Sequence, residues 1–173
     1  MDATLRIVRP EPLLPDTFAE FGEVIGDVVS DGGDGRLVNL GTARRLDRVA
    51  ALASHRPDAL PNLAFFRCAP VALPFRITML ERHPHSTQAF LPLAVSRFLV
   101  CVAPDRADGM PDLGKLRAYL GGPGTGVNFR AGLWHHPMLA LDESARFVML
   151  AWEDGSPADA EEWTPAHTLE IHE

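Results

Sequence analysis

Proline placement sets the strictest limit on what this chain can fold into. Pro70, Pro74, Pro84, Pro92, Pro104 and Pro137 lie between or beside short apolar runs. A proline cannot donate to a strand ladder, so each marks a strand end or an edge. The runs are LAFFRCA (63–69), FRITMLERH (75–83), RFLVCVA (97–103), VNFRAGLWHH (127–136) and ARFVMLAW (145–152), all rich in β-branched and aromatic side chains. Each reads as a strand. Short strands separated by turn signals at roughly 8–12-residue intervals predict a mainly β fold, an antiparallel sandwich or barrel with a few short helices.

Two helices are expected. In PDTFAEFG (15–22) Asp16 is placed to cap, Phe18 and Phe21 share a face, and Gly22 ends the turn. In PDLGKLRAYL (111–120) Asp112 is placed to cap and Leu113, Leu116 and Leu120 fall on one helical face. The glycines and aspartates of VVSDGGDGRL (28–37) mark a loop, and 44–54 fits either a short helix or a strand with a turn. The stretch EDGSPADAEEW (153–163) is acidic, turn-rich and expected to be solvated. No internal repeat divides the 173 residues, which are long enough for one domain, 1–173, and short for two.

Charge narrows the function classes. The formal net charge of −7 opposes sequence-blind nucleic-acid binding and docking on an anionic membrane. No run approaches the roughly 18 apolar residues of a membrane helix, and MDATLRIVRPEP lacks an apolar signal segment, so a cytoplasmic protein is expected. Cys68 and Cys101 each lie in an apolar run and read as small buried hydrophobes.

Two segments concentrate titratable groups. ERHPHSTQAF (81–90) carries His83 and His85 at the i, i+2 spacing that puts two side chains on one face of a strand. With Gln88 and a later histidine this suggests a metal set of His83, His85, Gln88 and His135. Against it stand Pro84, which breaks the strand, and glutamine, a weak ligand where zinc prefers nitrogen, sulfur or carboxylate. In GVNFRAGLWHHP (126–137) alternation puts Val127, Phe129, Ala131, Leu133 and His135 on the apolar face. His135 should therefore point inward and His136 outward or toward a neighbouring subunit, unless a bulge at Gly132 reverses them. A buried histidine must hydrogen-bond or ligate. GGPGTG (121–126) precedes a strand and lacks a following Lys-Ser/Thr, so it is a turn rather than a phosphate loop. Ser86 beside His85 does not make a nucleophile and base.

These segments resemble the ureidoglycolate lyase family. The first matches a pattern like ERHP-x-x-x-QAF-x-P through Glu81, Arg82, His83, Pro84, Gln88, Ala89, Phe90 and Pro92. The second matches GVN-aromatic-x-x-G-x-WHHP through Gly126 to Phe129, Gly132 and Trp134 to Pro137. The resemblance implies a cupin-like antiparallel barrel, a homodimer, and cleavage of ureidoglycolate to glyoxylate and urea in allantoin and purine breakdown. Gly132 and His135 also fit the spacing of the second cupin motif. The chain departs from the family pattern at His85, Ser86 and Thr87, and at Ala151-Trp152, where the family shows Asp-Arg followed by glycines.

Ureidoglycolate bears a hydroxyl, a carboxylate and a ureido nitrogen on one carbon. Its elimination needs a base, an acid and a carboxylate anchor, and requires no cofactor, although a divalent metal is compatible with it. His83 and His135 are expected to move protons, with Glu81 orienting His83 or acting as base. Arg82 is the first candidate for the carboxylate, although alternation turns it away from His83. Gln88, Asn128 and His136 are candidates for the remaining substrate contacts. Competing expectations are a metal-dependent cupin enzyme, a lyase or amidohydrolase acting on a related ureido or 2-oxo acid, and a non-enzymatic ligand-binding barrel.

Overall fold

The computed structural model describes residues 5–26 and 35–173. Of the loop expected at 28–37, positions 28–34 lie outside the described residues, and Arg36–Val38 forms a short strand pairing with Ala43–Arg45. Beyond Arg45, the undecided stretch 44–54 contains no helix and ends in a single bridge from Ser54 to Ser86.

The architecture is mainly β, as expected, and its three layers explain the burial pattern. One five-stranded antiparallel sheet has the order Gly22–Gly26, Thr125–Phe129, Gln88–Ala94, Ala145–Glu153, Leu60–Cys68. Its inner face meets a second sheet running Glu161–Trp163, Leu80–Arg82, Trp134–His135, Arg97–Ala103, Arg117–Gly121, Glu11–Pro12. Phe90, Val127, Phe129, Phe147 and Met149 from the first pack against Phe98, Val100, Val102 and Tyr119 from the second. A small third sheet of Arg6–Val8, Leu169–Ile171 and Phe75–Ile77 covers the far side of the second, closing a separate apolar layer around Leu99, Cys101, Leu116, Ala118 and Trp134. The middle sheet is thus covered on both faces, which is why RFLVCVA reads as a continuous apolar run rather than an alternating one.

Several expectations change. The helix expected over 111–120 is one 3-10 turn, Leu113–Lys115, followed by the strand Arg117–Gly121. The three leucines fit a helical period, but Leu116, Ala118 and Leu120 also alternate, and pairing with the whole of Phe98–Val102 decides for the strand. The N-terminal helix spans only Pro15–Phe18, with Leu14 rather than Asp16 at the cap position. Gln88–Ala94 is a central strand despite Pro92, because the register shifts between Pro92 and Ala94. The run 127–136 breaks at a turn where Gly132 has φ +76°, and the run 75–83 splits into Phe75–Ile77 and Leu80–Arg82. No helix among the described residues is long and apolar enough to cross a membrane.

Candidate active site

The site forms where the two motif segments cross. Glu81 lies in Leu80–Arg82 and pairs directly with His135. His83 follows that strand, and its carbonyl accepts the Gly132 N–H at 2.8 Å, so the glycine turn and the histidine backbone hold each other. Alternation then puts Glu81 and His83 on one side and Arg82 on the other.

Both imidazoles are oriented by backbone. His83 Nδ1 lies 3.0 Å from the carbonyl of Asp159, and His135 Nδ1 lies 2.9 Å from that of Leu133. A carbonyl only accepts, so each Nδ1 carries the hydrogen and donates it. In the neutral form of each ring Nε2 then carries the lone pair, and both Nε2 atoms are buried without a hydrogen-bond partner. The rings lie 5.6 Å apart, nearly parallel, and His135 stacks on Phe129 at 4.4 Å. Glu81 Oε1 is 3.5 Å from His135 Nε2. Burial pushes His83 below the ordinary histidine value, and the neighbouring His135 adds to this; Glu81 and Glu153 partly oppose it. For Glu81, burial alone would raise the carboxyl, but His135 and the other imidazoles outweigh it and hold the group below its ordinary value.

The other sequence-derived candidates scatter. Gln88 is buried and pairs across the ladder with Phe129, whose ring carries His135, and its Oε1 is a buried acceptor with no partner. It belongs to the same face as the imidazole pair. Arg82 does not. It is held by Glu161 at 2.6 Å and the Gly109 carbonyl at 3.0 Å, and it lies over the Trp134 ring at 4.4 Å. Asn128 alternates to the outer face of the five-stranded sheet, where its Nδ2 donates to Glu23 at 2.8 Å. His136, expected to face outward, is buried against Phe75, because the third sheet covers that side. Among the described residues the group that brings metal-ligating atoms within 4.8 Å of one another is Glu81, His83 and His135; His85 is not in it. The His85 carbonyl instead accepts the His55 N–H at 2.7 Å. Ser86 is committed to backbone: its Oγ accepts the Trp152 N–H at 2.8 Å and donates to the Thr87 carbonyl at 2.6 Å.

One neighbour of the site was missed from sequence. Glu153 accepts from Asn62 Nδ2 at 2.7 Å and bears on the charge of His83. It has the parity of Phe147, Met149 and Ala151, so the alternation in ARFVMLAWE contained the signal.

A family model described as ureidoglycolate lyase matches residues 5–172. A protein named ureidoglycolate lyase from Pseudomonas syringae pv. tomato is 37% identical over 146 residues, covering 84% of this chain and 83% of that one. One of the same name from Burkholderia cepacia is 41% identical over 145 residues, covering 83% and 78%. Among solved structures, a dTDP sugar isomerase from Desulfovibrio desulfuricans G20 superposes with a TM-score of 0.45 at 14% identity, over 84% of this chain and 83% of that one. The two motif segments are the ones that cross at the imidazole pair, and by the family model and the sequence relatives the chain belongs to the ureidoglycolate lyase family.

Proposed function

We propose that this protein cleaves ureidoglycolate into glyoxylate and urea, a step of allantoin and purine catabolism, as a cytoplasmic enzyme. The observation that carries the reading is the convergence of Glu81, His83 and His135, whose ligating atoms lie within 4.8 Å of one another, with both Nε2 atoms buried and without a hydrogen-bond partner. The elimination breaks a C–N bond and forms a C=O bond. The hydroxyl proton leaves to one imidazole Nε2, and the imidazolium so formed returns it to the departing ureido nitrogen as the C–N bond breaks, so the step is proton-neutral overall. Either imidazole can begin as base, because both present a lone pair; Glu81 stabilises the imidazolium that results at His135. Each such transfer is worth about 10²–10⁴-fold. Gln88 Oε1 is an acceptor suited to a urea N–H. Arg82, paired with Glu161 and turned by alternation away from His83, is not assigned the substrate carboxylate in this reading. The test is direct: incubate the protein with ureidoglycolate and measure glyoxylate, urea and ammonia together. Glyoxylate and urea in equal amounts support the lyase; ammonia in place of urea indicates an amidohydrolase, and no turnover removes the enzyme reading.

A second reading uses the same residues as a divalent-metal site. Two imidazoles with Nδ1–H tied to backbone carbonyls, and a carboxylate within reach, are the donor set and orientation that metal-ligating histidines show. His83, His135 and Glu81 would hold the ion, with Gln88 beside them. The ion would supply a positive centre for the substrate carboxylate and lower the pKa of the hydroxyl. Stoichiometric metal in tag-free protein, with activity lost on chelation and restored on readdition, favours this reading; full activity in metal-free protein rejects it.

The chain is also proposed to form a homodimer through the outer face of the five-stranded sheet. There Leu63, Phe65, Leu91 and Leu93 are 72%, 50%, 42% and 58% exposed around Val148 and Leu150. A Phe65→Glu variant should run as a monomer in light scattering, and a monomeric wild-type protein removes the proposal.

A further inference from the structure

The hydrogen bond that fixes His83 depends on one carbonyl, that of Asp159, in a segment with little backbone order of its own. Residues 154–159 are a bend and a single 3-10 turn, Pro157–Asp159. Side chains give this segment its shape. The Asp159 carboxylate accepts the N–H groups of Asp154 at 3.1 Å and Gly155 at 2.7 Å. The Asp154 carboxylate accepts the Ser156 N–H at 2.9 Å. Two carboxylates crowded on a six-residue loop repel each other, and Arg56 resolves this. Its guanidinium donates to Asp154 Oδ2 at 2.6 Å, to Ser156 Oγ at 3.3 Å, and to Asp159 Oδ1. The Arg56 and Asp159 side chains are only 17% and 15% exposed, so solvent cannot replace the arginine cheaply. Arg56 is itself anchored on the motif side of the site. Ser54 bridges to Ser86, the His55 N–H meets the His85 carbonyl at 2.7 Å, and the Thr87 N–H meets the Ala53 carbonyl at 3.0 Å. One residue thus ties the segment after His83 to the loop that receives the His83 Nδ1–H.

We propose that Arg56 is a positioning residue for His83: by clamping Asp154 and Asp159 it holds the Asp159 carbonyl where it selects the Nδ1–H tautomer and leaves Nε2 free toward the substrate. The proposal rests on the reading that His83 Nε2 acts in ureidoglycolate cleavage. It does not depend on whether that atom takes a proton or holds an ion, since both need the same tautomer.

The test compares Arg56→Ala and Arg56→Lys with the wild type in steady-state kinetics on ureidoglycolate, and reads the His83 tautomer from the imidazole ¹⁵N shifts. Arg56→Ala should lower kcat by about 10–100-fold, as loss of an orienting partner does. KM should move by less than about twofold, because substrate contacts are untouched. The ¹⁵N spectrum should show His83 redistributed toward Nε2–H. Arg56→Lys keeps a cation between the two aspartates and should recover most of kcat together with the wild-type tautomer. If Arg56→Ala does not fold, Arg56→Gln takes its place, with the same expectations. An unchanged His83 tautomer overturns the proposal whatever happens to kcat; a changed tautomer with unchanged kcat overturns its link to catalysis. His83→Ala separates this from the underlying reading: full turnover in that variant removes His83 from the chemistry, while the ¹⁵N shifts of Arg56→Ala still report whether the clamp acts on the ring.

Discussion

Arg82 and His83 are neighbours in sequence and opposites in circumstance. Arg82 has every reason to be still: a carboxylate at 2.6 Å, a carbonyl at 3.0 Å and an indole face beneath it. His83 is held by one nitrogen only, and its other nitrogen, like that of His135 and the Oε1 of Gln88, is buried with nothing to bond. Buried polar atoms without a protein partner are few in folded chains, and a ligand or ordered water then meets them. The guanidinium that looks most like a substrate anchor in the sequence is tied to protein partners, and the unsatisfied acceptors one residue away are the surface proposed to meet the substrate.

The largest expected effects lie on the histidine side. His83→Ala, His135→Ala and Glu81→Gln should each lower kcat for ureidoglycolate by about 10²–10⁴-fold while far-ultraviolet circular dichroism is unchanged. A single variant with wild-type turnover breaks the assignment for that residue. Arg82→Ala should do the reverse. Loss of its charged hydrogen bonds and ring contact should cost about 2 kcal/mol of unfolding free energy by denaturant titration. Its kcat and KM should stay close to wild type. A selective rise in KM would return Arg82 to the substrate and undo the comparison.

Gln88 tests the contrast more finely. Leucine has similar bulk and no acceptor, so Gln88→Leu should leave stability equal or raised while kcat/KM falls about tenfold, the value of roughly one hydrogen bond. A variant that is destabilised and fully active would make Gln88 structural.

Much of this division is legible in the sequence. Strand parity separates Arg82 from Glu81 and His83, and predicts His135 inward with Phe129 and Leu133, a placement that the turn at Gly132 interrupts without reversing. What the sequence hides is whatever depends on a third layer. His136 has outward parity, but outward from the inner core is inward to the layer closed by Phe75–Ile77 and its partners. The leucines of 113–120 mislead for the same cause: a strand covered on both faces has apolar residues at every spacing, so a helical period is found among them. Long-range partners such as the Asp159 carbonyl, 76 residues beyond His83, leave no local pattern at all.

The smallest effect expected concerns His136, and it tests whether the third layer really seals that side. Burial pushes this imidazole below its ordinary value of 6.5, only partly opposed by its hydrogen bond to the Pro137 carbonyl and by the charge of Glu81. The folded state therefore binds a proton less readily than the unfolded chain. The stabilisation from a neutral His136 is complete above the unfolded value and is lost as pH falls through 6.5 toward the depressed folded one. His83 is depressed in the same direction and contributes alongside it. Thermal midpoints measured from about pH 7.5 down to about pH 5.5 should thus decline in the wild type, and decline less steeply in His136→Asn, which cannot charge but keeps a donor near Nδ1. Equal slopes in the two proteins would mean that His136 titrates freely and that water reaches it, so that the outward parity read from sequence describes the residue better than the covered pocket does.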